Sequence, residues 1–313
     1  MTIATGARHN LSYKVESVYG TSPTGPYQEI RHTGTTLGLS KDAIESEELR
    51  EDRQVAHFRH GTKSVGGDIN FELSYGSFDD LLEATLCGTW ALGVDEFGDP
   101  APAGVDTLEP GSTARSFTIE RHFGDIDQAM KMSGCQFNSM SLSVAPNSMV
   151  TGSFSLLGKD MATITATETA TSAANANQPF DGFTGSITEG GSSIAVVTAL
   201  ELTIENGMEP SYVVGDDTSL QSPLGKSTVN GSITAYFEDP TLINKFINET
   251  SSTLEFVLQD LDGNQYTFGL PNVKYNSGNP ETSGPGQITV TLDFVGLYDS
   301  TVGSQLYIKR DPA

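Results

Sequence analysis

The sequence predicts a mainly β chain: two tandem β-sandwich or barrel domains, from an internal duplication, each with one flanking α-helix. Three observations lead there. Alternating apolar and polar residues recur, as in GGDINFELSY (66–75) and QFNSMSLSV (136–144). Gly is abundant at 33 copies, Ser and Thr are frequent, and long Lys/Glu-rich helical blocks are missing, a mixture that favours strands and turns. The order of elements in the first half also reappears in the second. At 313 residues the chain is long enough for one large or two modest domains, each with a core.

Residues 11–20 alternate and read as a strand, closed by a turn at SPTGP (22–26). A second strand over 30–40 centres on Leu37 and Leu39. The stretch 41–64 is too polar for a core element and is expected as an extended hairpin arm or loop that orders against a partner. In 66–75, Ile69, Phe71 and Leu73 share one face, and Asp68, Asn70 and Glu72 the other. SFDDLLEATL (77–86) follows as a helix, with Ser77 as N-cap and Asp79 and Asp80 suiting the dipole of its first turn. A Gly/Pro-rich insertion holds residues 88–113 and the single Trp90. Strands resume at 116–123, 136–144 and 150–158, and a Thr/Ala/Asn-rich connector follows.

In the second half, strands are expected at 196–205, 230–237, 253–260, 265–270 and 287–297, and a helix at 241–249. LDGN (261–264) is a hairpin turn between two of the strands. A long polar loop fills 206–227. The halves align as TTLGLSKD (35–42) on TALELTIE (198–205), GDINFEL (67–73) on GSITAYF (231–237), and SFTIERHFGD (116–125) on TLEFVLQDLDG (253–263). Finally VTGSFSLLGKD (150–160) meets ITVTLDFVGLYD (288–299), with Gly158 on Gly296. The period is far longer than a solenoid repeat and implies two similar domains. The boundaries are 1–160, including the 88–113 insertion, a connector at 161–182, and 183–313.

Forty Asp plus Glu against 17 Lys plus Arg give a net charge of −23. That field repels nucleic acid and anionic membranes, and no basic run exists to overcome it. Two cysteines without a CxxC make a disulfide framework or a Cys-based zinc site unexpected. The N-terminal segment lacks the apolar core of a secretory signal, and no apolar run approaches a bilayer span, so a soluble chain made in the cytosol is expected. His57 and His60 lie in one segment, with His32 and His122 elsewhere, and are expected to be incidental surface or interface side chains. DLDGN (260–264) begins like a calcium loop, but its twelfth position is Pro271. No nucleophile elbow, phosphate loop or HExxH occurs, so neither an enzyme nor a cofactor or metal is expected.

The opening LSYKVESVYGTSPTGP, the stretch EELREDRQ and the block FRHGTKSVGGDINFELSYGSFDDLLEATL resemble tail tube proteins of long, non-contractile tailed phages. The resemblance covers most of residues 11–160, and the second half through its repeat. It implies two packed β-sheets with a flanking helix in each tube domain, rings whose inner sheets join into a barrel around a lumen, and stacking through long loops. With the repeat, it implies a homotrimer forming a pseudo-hexameric ring. Asp68, Asn70, Glu72, Glu201, Thr203, Glu205, Ser232 and Thr234 would face the lumen. Glu45, Glu47, Glu48, Arg50, Glu51, Asp52, Arg53, Asp216 and Asp217 would lie in loops between rings or subunits. The implied partners are further copies of the chain, a tape-measure protein, and tail terminator and tip proteins. DNA would cross the acidic lumen during ejection without specific binding, and no membrane is involved. The implied location is the virion tail, with assembly in the host cytoplasm. A non-enzymatic β-sandwich tail decoration or host-binding module is the alternative at this point.

Overall fold

The computed structural model describes residues 3–164, 171–194, 196–282 and 284–313. The first half contains β1 (His9–Val15), β2 (Tyr27–Glu29), β3 (Gly34–Thr35), β4 (Gly38–Glu45), β5 (Phe58–Glu72) and α1 (Asp79–Leu86). These lead to β6 (Ala91–Leu92), β7 (Asp106–Leu108), β8 (Phe117–Phe123), β9 (Gln128–Val144), β10 (Thr151–Gly158), β11 (Asp160–Ile164) and β12 (Thr171–Ser172). The second half contains β13 (Ser186–Glu189), β14 (Ser192–Ser193), β15 (Val197–Glu205), β16 (Thr228–Tyr236), α2 (Thr241–Ile247), β17 (Ser252–Gln259), β18 (Gln265–Tyr275), β19 (Pro280–Glu281), β20 (Thr289–Gly296) and β21 (Tyr307–Asp311). Residues 165–170 of the expected connector lie outside the described residues.

The long strands β9 and β18 each serve two sheet regions. The first part of β9 pairs with β8 and β11, and its second part with β10. Likewise β18 pairs with β17 and β21 first, and then with β20. One continuous antiparallel sheet therefore runs β4–β5–β10–β9–β15–β16–β20–β18. The β9–β15 pairing joins its halves, with Leu202 opposite Leu142 and Glu205 opposite Ser139.

Corresponding strands pair in the same way in both halves. Gly67 lies opposite Leu156, and Gly231 opposite Phe294, as the alignment of GDINFEL on GSITAYF requires. The β8–β9 ladder shifts register between Phe117 and Ile119, and the β17–β18 ladder between Ser252 and Leu254. Two of the sequence alignments differ from the pairing. Judged by their partners, Leu39 corresponds to Ile204, and Phe117 to Ser252, each two residues from the aligned position. A displacement of two keeps every side chain on its face, so alternation could not detect it.

One face of the long sheet is buried. Ile69, Phe71, Phe154, Met140, Leu142, Leu202 and Ile233 join Leu11, Phe117, Leu254 and Phe268 in one continuous core. Two glycines make room for aromatic rings in the strand opposite. A Cβ on Gly231 would lie 2.4 Å from Phe294 Cζ, and one on Gly152 2.5 Å from Phe71 Cζ. Gly231→Val is expected to cost about 3 kcal/mol through forced repacking, read as a lower denaturant midpoint.

The expected Ser77 cap is not made. The residue before α1 is Phe78 and no side chain caps it, because Ser77 is engaged by Ser74 Oγ at 2.7 Å. The helix is held by packing instead, with Leu81, Leu82 and Leu86 buried. α2 is anchored by charge: Lys245 Nζ lies 2.6 Å from both Glu189 carboxylate oxygens. The 88–113 insertion packs across the halves. Its β7 pairs with β21, and Trp90 lies beneath the Arg310 guanidinium at 4.6 Å. Cys87 and Cys135 are free and buried, and burial pushes both thiols up.

Candidate assembly surfaces

The face opposite the core is built from alternation. Wherever Ile69, Phe71, Phe154, Met140 or Leu202 points inward, its chain neighbours must point outward. The register sets these neighbours in transverse rows. One row reads Glu72, Thr151, Ser143, Glu201, Ser232, Asp293; a second reads Asp68, Ser155, Ser139, Glu205, Thr228. Asn70 and Thr203 fall in a row between them. Thr234 meets Thr291, their hydroxyls 3.1 Å apart. All eight residues singled out for a polar face thus share one face of one sheet. The sequence reading missed Asp293 and the serines of β9 and β10, although the alternation in SMSLSV and GSFSLL carried the signal.

The chemistry of this face is hydroxyls with spaced carboxylates. Glu72 and Glu201 are three strands apart, about 14 Å at the usual strand spacing. That exceeds the Debye length of about 8 Å at physiological salt, so the charges do not destabilise one another strongly. Lys274, opposite Val295, is the basic side chain that the ladders place here.

The sheet ends in two edges. Among the described residues, β3 and β4 pair only with β5. At the other end, residues 277–281 follow β18, and β19 pairs only with β20.

β4 and β5 continue beyond the sheet as a hairpin arm, paired out to Glu45 opposite Phe58. The arm exposes Ile44, Leu49, Val55 and Phe58, with Leu49 fully exposed. Glu45, Glu47, Glu48, Arg50, Glu51, Asp52 and Arg53 lie on the arm and its tip. Within the tip, Arg50 makes a two-pronged contact with Asp52, at 3.0 and 2.8 Å. That contact pushes Asp52 below and Arg50 above their ordinary values.

The second long loop, 206–226, lies along its own chain. Asn206 Nδ2 donates to Thr85 O, Ser222 N donates to Gln136 Oε1, and Met208 is buried. Asp217 pairs with Lys63 at 3.2 Å at the root of the arm. Asp216 accepts from Thr218 N in its own turn at 2.9 Å, which lowers its pKa.

A family model described as phage tail tube protein matches residues 6–296. The chain belongs to the phage tail tube protein family. No curated protein matches it. Membership makes the chain a structural component of the phage tail, and the polar face, arm and edges are the surfaces this tail tube protein offers. Among its described residues no group of three or more His, Cys, Asp or Glu side chains could hold a metal, and no helix is long and apolar enough to cross a membrane.

The tail tube protein also gathers residues that the sequence keeps far apart. His9, His32 and Arg121 meet beside β3. Arg121 Nε donates to His9 Nε2 at 3.3 Å, and His9 Nδ1 lies 2.9 Å from His32 Nε2. His32 Nδ1 faces Ile30 O at 3.3 Å. Burial first, then the Arg121 charge, lowers the His9 pKa to about 4. Long-range strand pairing brings these groups together, and no local pattern announces it.

Proposed function

We propose that three copies of this chain close a pseudo-hexameric ring, and that rings stack into a siphophage tail tube whose polar sheet face lines the lumen. The observation that carries this reading is the twice-made series of strand pairings, fused through β9–β15 into one sheet that, among the described residues, has an unpaired edge at each end. This supports an internal duplication, with domains at 1–160 and 183–313 and a connector at 161–182, the 88–113 insertion packing against the second domain. Repeating the β9–β15 type of contact between chains is a heterologous interface, which closes into a ring when the rotation permits. Closure also removes the exposed edges that otherwise invite aggregation.

Asp68, Glu72, Glu201, Glu205 and Asp293 would make that lumen acidic. Phosphates passing it are repelled, so DNA slides through during ejection without specific binding. The arm, with its apolar tip and mixed charges, reaches the next ring. Asp216 and Asp217 act from nearer the arm's root. A tape-measure protein would occupy the lumen before DNA, and terminator and tip proteins would cap the stack. Assembly takes place in the host cytoplasm. Negative-stain microscopy with mass measurement of isolated rings tests the core claim: three chains per ring are expected, and a chain that stays monomeric at high concentration would refute it.

The lumen has its own test. Glu72→Lys with Glu201→Lys changes exposed or half-exposed side chains, so stability should move by less than about 0.5 kcal/mol per site. Assembled tubes of the variant are expected to retain short duplex DNA at low salt where wild-type tubes do not. Equal retention would place these residues outside the lumen.

A further inference from the structure

The junction inside the chain is a template for a junction between chains. At β9–β15, Leu200 lies opposite Val144 and Glu205 opposite Ser139. By the pairing correspondence between halves, Leu200 and Glu205 map to Thr35 and Ser40 on the unpaired β3–β4 edge. Val144 and Ser139 map to Thr282 and Ser277 on the other unpaired edge. The same contact between two copies therefore sets Thr35 opposite Thr282, and Ser40 opposite Ser277.

The two junctions differ in chemistry. A cavity of about 240 Å³ beside the internal junction is lined by Val144, Ile187, Val197, Leu200, Phe256 and Leu258. The corresponding cavity beside the free edge, about 300 Å³, is lined by His9, His32, Thr33, Thr35, Arg121 and Phe123. Arg121 takes the position of Phe256, and Phe123 that of Leu258.

Its hydrogen bonds fix protonation by geometry. His9 Nε2 must be bare to accept from Arg121 Nε. The remaining His9 proton then sits on Nδ1 and points at His32 Nε2, which must also be bare. His32 carries its proton on Nδ1, toward Ile30 O. Protonating either ring breaks a link. The far end of the relay holds the edge itself, because Arg121 Nη1 donates to Leu37 O.

We propose that the edge at residues 34–40 docks residues 277–282 of a second copy of this chain, and that the Arg121–His9–His32 relay latches this edge in its docking shape only while both imidazoles are neutral. The proposal rests on the tube reading. No carboxylate lines the cavity to compensate added positive charge. The surrounding charged groups are Arg121 and His122 on β8, with Asp127 3.4 Å from His122, and Arg8 beside Asp125 at 3.6 Å. With the relay made, His9 titrates at about 4, against about 6.5 once it is released. The released form therefore binds more protons in that window. The latch is complete above pH 6.5 and weakens as pH falls toward 4, by up to tenfold per unit.

Ser40→Cys with Ser277→Cys tests both parts under mild oxidation. Both serines lie on the polar face, and the native cysteines are buried. At neutral pH the pair is expected to link chains into closed covalent rings. The off-register pair Ser40→Cys with Gly278→Cys, on opposite faces, is expected not to link. Acid also slows oxidation of the thiols themselves, so linking is read as a ratio to the same cysteine pair carrying His9→Asn and His32→Asn. From pH 7 to about 5 that ratio is expected to fall several-fold. A ratio that stays constant over this range would overturn the latch and keep the junction. Tubes without linking would overturn the junction and leave the tube reading standing. A failure to form rings at all, seen by microscopy, would defeat the tube reading and the proposal with it.

Discussion

Replacing residues 46–57 with a two-residue Asn-Gly turn is expected to yield a folded chain that closes rings but no longer grows long tubes. The arm is paired out to Glu45 opposite Phe58, so a two-residue turn can join these strands without moving the ladder. Among the described residues the deleted tip buries no side chain: Leu49 and Val55 are exposed, and the Arg50 guanidinium pairs with nearby Asp52. Folding stability should therefore change little, with a thermal midpoint within a few degrees of the parent. On the proposed reading the same tip would supply apolar contact to the next ring of a stacked tube, and removing it should reduce tube length by at least tenfold in electron micrographs. Tubes of normal length would show that stacking rests on another surface.

Asp79→Ala carries the largest expected cost to the fold. One carboxylate oxygen accepts from the Tyr266 hydroxyl, and the other from Arg310 Nη1. Arg310 also pairs with Asp106 at 2.8 Å and covers Trp90 at 4.6 Å. The start of α1, β18 and β21 thus converge on one carboxylate, and the 88–113 insertion joins them through Arg310. Tyr266 is fully buried, and burial first, then the Asp79 charge, pushes its phenol well up. Removing Asp79 leaves the Tyr266 proton without its acceptor, although its oxygen still accepts from Gly76 N at 2.9 Å, and takes one of the two carboxylates from Arg310, at about 3 kcal/mol. Denaturant unfolding reads the loss, and Asp106→Ala, which leaves Tyr266 paired, should cost clearly less. Equal costs would show that the Tyr266 link adds nothing.

The same two regions show what a sequence discloses. The strands came from alternation: β5, β8, β10, β15, β16, β17 and β20 lie where period-two runs mark them, because a half-buried strand must write its two faces into its residues. The eight polar-face positions followed for the same reason. β21 was missed, since YIKRD is too short and too mixed to alternate. The Ser77 cap failed because a nearer hydroxyl competed for it. Asp79 with Arg310, and His9 with Arg121, are meetings across 231 and 112 residues, and nothing local encodes them. The loop 206–226, expected between rings or subunits, lies along its own chain, and polar loops look alike in sequence whichever surface they meet.

The β9–β15 junction has a consequence for how assembly begins. It is made within a single molecule, so half of the seams of the proposed three-chain ring would exist before any two chains collide. A contact made in cis has an effective concentration set by the tether and not by the amount of protein present. On the proposed three-chain reading, ring nucleation would depend on the meeting of three bodies in place of six. The onset concentration for tube growth would be lower, and the rate at which rings appear would follow a lower power of protein concentration than for a chain carrying one such unit.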